Sequence, residues 1–164
     1  MLRYDKNAFW DLDHLLDLFE LTADVKQHEV WHPEGNVLNH SLQVFQHAMR
    51  EKDIIPKEDQ FSIVLAALLH DVGKIIISRG HEKHSAILIE PFVPHLTTFL
   101  VGNHMRFWNY QNGEMKRLSK VKHLHNFHLP YLSLVARWDK MGRVKNKNIV
   151  YNRDKIIQQL VSLL

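Results

Sequence analysis

The stretch that most restricts what this chain can become is FSIVLAALLHD, residues 61–71. From Phe61 to Leu69 the only polar side chain is Ser62. A helix built from these residues is apolar on nearly every side, so it belongs in the middle of a bundle. The run then ends in His70 and Asp71, with Gly73 and Lys74 close behind. An imidazole and a carboxylate at the end of a buried helix need partners, because an unpaired buried charge is costly.

The flanking sequence is helical in its spacing and seldom alternates. Residues 9–21 put Leu12, Leu15, Leu16 and Phe19 on one stripe. Asn36 reads as the N-cap of a helix reaching about Glu51. Pro56 and Lys57 mark a turn, and Glu58 or Asp59 opens the central helix. Gly73 and Gly80 bracket a connector. A helix from His81 is stopped by Pro91, and Pro94 permits a short one to about Gly102. Residues 103–113, with Asn109, Asn112 and Gly113, read as a loop. Helices follow near 114–125, from Pro130 to Met141, and over 152–163. The expectation is an all-α bundle of about seven or eight helices in one domain, 1–164.

Composition narrows the chemistry. There are no cysteines, so disulfides and thiolate ligands are excluded, while histidine is abundant at thirteen. No segment reaches the ~18 uninterrupted apolar residues of a membrane span. The start, MLRYDKNAFWDLD, has acids where a signal peptide would be apolar. A cytoplasmic protein without a membrane partner is therefore expected. The net charge of +3 is unevenly spread, with 9 Lys+Arg against 15 Asp+Glu in residues 1–100 and 12 against 3 in residues 101–164. The basic last third fits either a phosphate-bearing partner such as RNA or a solvated helical surface.

Three predicted helices aim ionisable groups inward. In YLSLVARWDKMG, Asp139 continues the apolar stripe of Leu132, Val135 and Ala136. In NVLNHSLQVFQHAM, His40 shares a face with Val37 and Val44, and His47 lies one turn beyond. His70 and Asp71 close the central helix. Each alone has an ordinary explanation: a helix-end carboxylate in water, or a satisfied core histidine. Together they describe the convergence that a divalent cation requires.

The order His40, His70-Asp71, Asp139 resembles the HD-domain phosphohydrolases, in which histidine, a His-Asp doublet and aspartate are set on a helical bundle. The resemblance spans about residues 32 to 145. The segments HPEGNVLNHSL, ALLHDVGK, GHEKHSA and LVARWDKMGR are closer still to the HD module of bacterial CCA-adding tRNA nucleotidyltransferases. Only one amphipathic helix precedes residue 32, so the resemblance implies a free-standing module without the nucleotidyltransferase head. It further implies two divalent ions (Mn, Fe, Ni, Co, Zn or Mg), with His40, His70, Asp71 and Asp139 as ligands and Asp71 bridging. His81 and His104 are carried over as ligands of the second ion; His84 competes with His81, but the small pair Ser85-Ala86 falls at the family offset from His81. No role attaches to His14, His28, His95, His123, His125 or His128.

The activity implied is hydrolysis of a nucleotide or RNA phosphate end, of the 2′,3′-cyclic phosphate or 2′-nucleotide type, by a metal-activated water. Asp71 and Lys74 are its catalytic residues. Lys74 would hold a substrate phosphate, or be a solvated turn lysine. Arg106 and Trp108, in RFWNY, would bind phosphate and stack on a base, or Trp108 would cap the core. Arg143 would reach phosphate or cap its helix. A 5′-nucleotidase or (d)NTP phosphohydrolase, a non-catalytic nucleotide- or RNA-binding module, and a diiron oxygenase are the alternatives.

Overall fold

The computed structural model describes residues 10–113, 128–146 and 148–164. Among them are seven α-helices and no strand. They are α1 (Leu12–Leu21), α2 (Val37–Glu51), α3 (Lys57–Leu69), α4 (His81–Ile89), α5 (His95–Gln111), α6 (Leu129–Met141) and α7 (Arg153–Val161). The all-α expectation is met. The helix expected near 114–125, with His123 and His125, lies outside the described residues.

Central position falls to α3, which packs against α2, α5, α6 and α7. Every residue from Phe61 to Leu69 is buried. The helix opens at Lys57, directly behind Pro56, slightly earlier than expected. It closes at Leu69, and His70 and Asp71 turn the chain into a 3₁₀ segment, Val72–Ile75. Asp71 therefore sits on a bend, with its carboxylate free to face neighbouring helices. α1 opens three residues later than its apolar spacing predicts, because the Asp11 side chain accepts the His14 N–H and caps the helix there. Its stripe of Leu12, Leu15, Leu16 and Phe19 is buried as expected. Asn36 caps α2 by accepting from the Asn39 N–H at 2.8 Å.

One expectation is overturned. Residues 103–111 are helix, not loop: α5 runs through them for a total of 17 residues. Leu100, Val101, His104 and Phe107 form a buried stripe at helical spacing. Packing of that stripe outweighs the weak helix propensity of Gly102 and Asn109. The helix ends only at Asn112, followed by Gly113 in the left-handed region at φ 71°.

Gly73 is a required glycine. A Cβ there would lie 2.2 Å from the His81 carbonyl oxygen and 2.5 Å from the Ser85 nitrogen. The bare backbone lets its own N–H donate to Ser85 Oγ at 2.7 Å. The turn after Asp71 is thereby clamped to the first turns of α4. The small residue at 85 in GHEKHSA has its physical reason in this contact.

Part of the charge asymmetry is resolved inside the fold. Arg153 of α7 reaches Asp13, Asp17 and Glu20 on α1, and Arg137 of α6 pairs with Glu51 of α2. Basic residues of the last third thus neutralise acids of the first half.

Candidate metal centre

Four histidines and two aspartates from α2, the α3 end, α4, α5 and α6 meet at one place. His40, His70, Asp71, His81, His104 and Asp139 are each at most 6 % exposed. Asp71 is central. Its Oδ2 lies 3.2 Å from His70 Nε2 and 3.7 Å from His40 Nε2. Its Oδ1 lies 2.8 Å from His81 Nε2 and 3.7 Å from His104 Nε2. One carboxylate thus turns an oxygen to each of two histidine pairs. Asp139 joins the first pair, with Oδ1 2.7 Å from His40 Nε2 and 3.4 Å from His70 Nε2.

Backbone carbonyls fix how the rings point. His70 Nδ1 lies 2.8 Å from the Ala67 oxygen, His81 Nδ1 2.8 Å from the Ser78 oxygen, and His104 Nδ1 2.6 Å from the Val101 oxygen. A carbonyl only accepts, so each Nδ1 carries the proton and donates it. A ring held this way, when neutral, offers its Nε2 lone pair to the centre. His40 is held differently, with Nδ1 2.7 Å from Glu34 Oε1. Glu34 also meets His32 Nδ1 at 2.9 Å.

These residues fit a bound cation on geometry alone. His81 Nε2 and His104 Nε2 face each other at 3.3 Å, and both face Asp71 Oδ1. With Nδ1 carrying the hydrogen on both rings, this is a meeting of acceptors without a donor. His70 Nε2 is buried and has no hydrogen-bond partner among the described residues, although two carboxylate oxygens stand beside it. A positive ion in each place removes the conflict. The sets His40/His70/Asp71 and Asp71/His81/His104 each have their ligand atoms within 4.8 Å of one another. With imidazole and carboxylate donors and no thiolate, the set suits a borderline or hard divalent metal.

The electrostatics follow from the same contacts. Burial works against the charged form of Asp71 and Asp139, but the neighbouring imidazoles prevail, and Lys74 helps at Asp71; both carboxyls lie well below the usual range. Burial likewise works against His70 becoming charged. The Asp71 charge and the Asp139 contact outweigh it, raising His70 to about 10. His40 is raised too, since Asp139 and Glu34 overcome its burial. Burial pushes Glu34 up, yet the bonds to His32 and His40 bring it down to about 2. In the metal-free protein, protons occupy positions that a cation would take.

The remaining predicted residues divide. Lys74 is on the rim, with Nζ 3.1 Å from Asp71 Oδ2 and donating to Gln27 Oε1 at 2.8 Å. Arg143 Nη2 lies 3.6 Å from Asp139 Oδ2. Trp108 donates its indole N–H to Asp139 Oδ2 at 3.2 Å, and the Arg143 guanidinium covers its ring at 5.6 Å. This geometry makes Trp108 an orienting partner of a candidate ligand, and its packing against the core matches the core-capping alternative. Arg106 is exposed and donates to Asn103 one turn back. Two residues beyond His104 on a helix is roughly 200° around its axis, so Arg106 leaves the site. Expecting a loop there concealed this. His84 is half-buried on α4 and outside both ligand sets, while His81 is in one.

Sequence reasoning missed Glu34 and His32. Their only signal was position: a carboxylate and an imidazole in HPEGN, just ahead of the helix that carries His40. No helical or strand period links them to it.

An all-α bundle that converges imidazoles and carboxylates on a buried point defines a helical metal-binding protein. The family profile of the HD domain matches residues 37–156, a span that contains every residue of the two ligand sets. The chain belongs to the HD-domain family, whose members are generally metal-dependent phosphohydrolases. No curated protein is matched by the chain. No described helix is long and apolar enough to cross a membrane.

Proposed function

We propose that this protein is a metal-dependent phosphohydrolase acting on a nucleotide or an RNA phosphate end, of the 2′,3′-cyclic phosphate or 2′-nucleotide type. The observation that carries the reading is the placement of Asp71, with one oxygen toward His40 and His70 and the other toward His81 and His104. That arrangement suits a carboxylate bridging two ions. The likeness of HPEGNVLNHSL and ALLHDVGK to the HD module of CCA-adding enzymes supports the substrate type.

His40, His70 and Asp139 would hold one ion, His81 and His104 the other, and Asp71 both. Bound there, divalent ions supply Lewis acidity that lowers the pKa of water and offsets charge on phosphoryl oxygens. This chain's residues do the rest. Ala67, Ser78 and Val101 carbonyls keep the Nε2 lone pairs inward. Glu34 orients His40, and Trp108 orients Asp139. Lys74, with three donors, would hold a phosphate oxygen beside Asp71, and Arg143 would offer a second cation across the rim. No nucleophilic side chain is required.

The basic last third is proposed to meet the rest of an RNA substrate; Lys116, Arg117, Lys120 and Lys122 lie outside the described residues. The test uses protein loaded with Mn, Ni or Zn and follows ring opening of 2′,3′-cyclic AMP to AMP, phosphate release from 2′-AMP and 5′-AMP, and hydrolysis of dATP. Metal-dependent turnover of the first two above the others is expected, and Asp71→Ala abolishes it. Turnover of triphosphates alone would move the assignment to a dNTP hydrolase. No hydrolysis of any monoester or diester ends the reading.

A further inference from the structure

The segment from Val25 to Val37 is irregular but held. Val37 N–H donates to the Val25 oxygen at 3.0 Å and Gln27 N–H to the Gly35 oxygen at 2.9 Å, closing the loop at its base. Inside it, the Trp31 and His32 N–H groups both donate to the His28 oxygen, at 3.2 and 2.8 Å. The loop is tied to the metal centre at two points, Gln27 to Lys74 and Glu34 to His40. A side chain on this loop is therefore placed relative to the ligands.

Trp31 is such a side chain, and it is 67 % exposed. Trp138 is fully buried, and Trp10 and Trp108 are partly buried. Val30, the neighbour of Trp31, is 73 % exposed, so the two form an exposed apolar spot on a loop whose backbone is closed. Trp31 borders a cleft of about 420 Å³ whose walls also include Lys26, Lys74 and Arg143 and contain no carboxylate residue. Two donors belonging to cleft residues, Gln27 Nε2 and Arg143 Nε, have no hydrogen-bond partner among the described residues. Lys74 and Arg143 also face Asp71 and Asp139, but the cleft lining adds Lys26 and two buried, unpaired donors, a balance that suits an anion, and an open indole suits a flat apolar partner. A nucleotide has both in one molecule.

We propose that this cleft is the nucleotide subsite of the enzyme, with Trp31 stacking on the base while Lys74 and Arg143 take the phosphate at the metal edge. The inference rests on the phosphohydrolase reading and deepens it: the base is recognised by its π-face, which every base presents, so the subsite selects nucleotides over other phosphates without choosing strongly among bases. It also moves the stacking role from α5 to the loop ahead of α2.

The test uses metal-loaded full chain, wild type against Trp31→Ala and Trp31→Phe, with 2′-AMP and glycerol 2-phosphate as substrates. Stacking of the usual strength predicts that Trp31→Ala lowers the ratio of kcat/KM for 2′-AMP over glycerol 2-phosphate by roughly 5- to 150-fold, chiefly through KM for the nucleotide. Trp31→Phe retains most of the ratio. A ratio within twofold of wild type overturns the proposal while leaving the phosphohydrolase reading intact. Should neither substrate turn over, equilibrium dialysis of labelled 2′-AMP decides: binding that weakens in Trp31→Ala and persists in Trp31→Phe supports the subsite, and binding that is absent or indifferent to Trp31 overturns it.

Discussion

The substitution Gly73→Ala isolates how one backbone contact builds half of the metal centre. The new Cβ would sit 2.2 Å from the His81 oxygen, against 3.4 Å for ordinary contact, so the 3₁₀ segment and α4 must separate by about 1.2 Å. The obstacles are backbone atoms, which cannot rotate away. Metal–ligand distances tolerate only about 0.2 Å. A shift several times larger carries Asp71 Oδ1 off His81 Nε2, now 2.8 Å away. It also strips Ser85 from the buried Gly73 N–H. Overpacking costs about 1–3 kcal/mol, and the orphaned N–H a similar amount, which together lower Tm by roughly 5–20 °C in a chain of this length. Two assays read this. Circular dichroism melts of metal-free protein give the stability change. On the two-ion reading proposed above, elemental analysis should show one tightly held equivalent of metal in place of two, because the Gly73 contact does not touch His40, His70 or Asp139. A variant that melts within about 1 °C of wild type and still retains two equivalents would refute the reasoning.

Other expectations are independent of that one. His81→Ala lowers metal content by one equivalent, whereas His84→Ala leaves it unchanged; the same elemental analysis separates them. His70 titrates at about 10 in the metal-free fold against 6.5 ordinarily, so its contribution to stability is complete below pH 6.5 and is lost as pH rises through 10. A metal must displace that proton, so calorimetry at pH 7.5 in buffers of different ionisation enthalpy should show proton release on binding; its absence contradicts the ligand role. Glu34, at about 2 against 4.5, contributes stability above pH 4.5 that is lost as pH falls toward 2. Glu34→Gln leaves the fold intact but weakens metal binding at the His40 site by roughly 10- to 100-fold, read by chelator competition. Leu65→Ala, at a position with no exposure, destabilises by about 2–5 kcal/mol in urea unfolding.

Much of the bundle could be read from spacing, because an apolar stripe at helical period must be buried wherever the helix packs. That is why α3 was central before any contact was known, and why Asn36, Pro91 and Pro130 marked real ends. The same logic singled out His40, His70, Asp71 and Asp139, each a polar interruption of an apolar pattern. Family likeness pointed to His81 and His104; His104 does interrupt the apolar stripe of Leu100, Val101 and Phe107, but a loop reading of 103–113 hides it, and the fold brings both to Asp71. Residues 103–111 were misread because Asn and Gly weigh on local propensity, while the buried stripe of α5 draws its stability from helices distant in sequence.

Sequence alone determined, then, which side chains must be hidden and which of those carried an ionisable group into hiding. Only tertiary structure decided their relations: that Asp71 divides its two oxygens between two histidine pairs, that Glu34 stands behind His40, that Trp108 serves Asp139, and that Trp31 is left uncovered beside the cationic rim. Burial follows from residue type and period, both of which are local. Distances between ligands follow from how helices cross and how closely backbones approach, as at Gly73, and no local pattern encodes them.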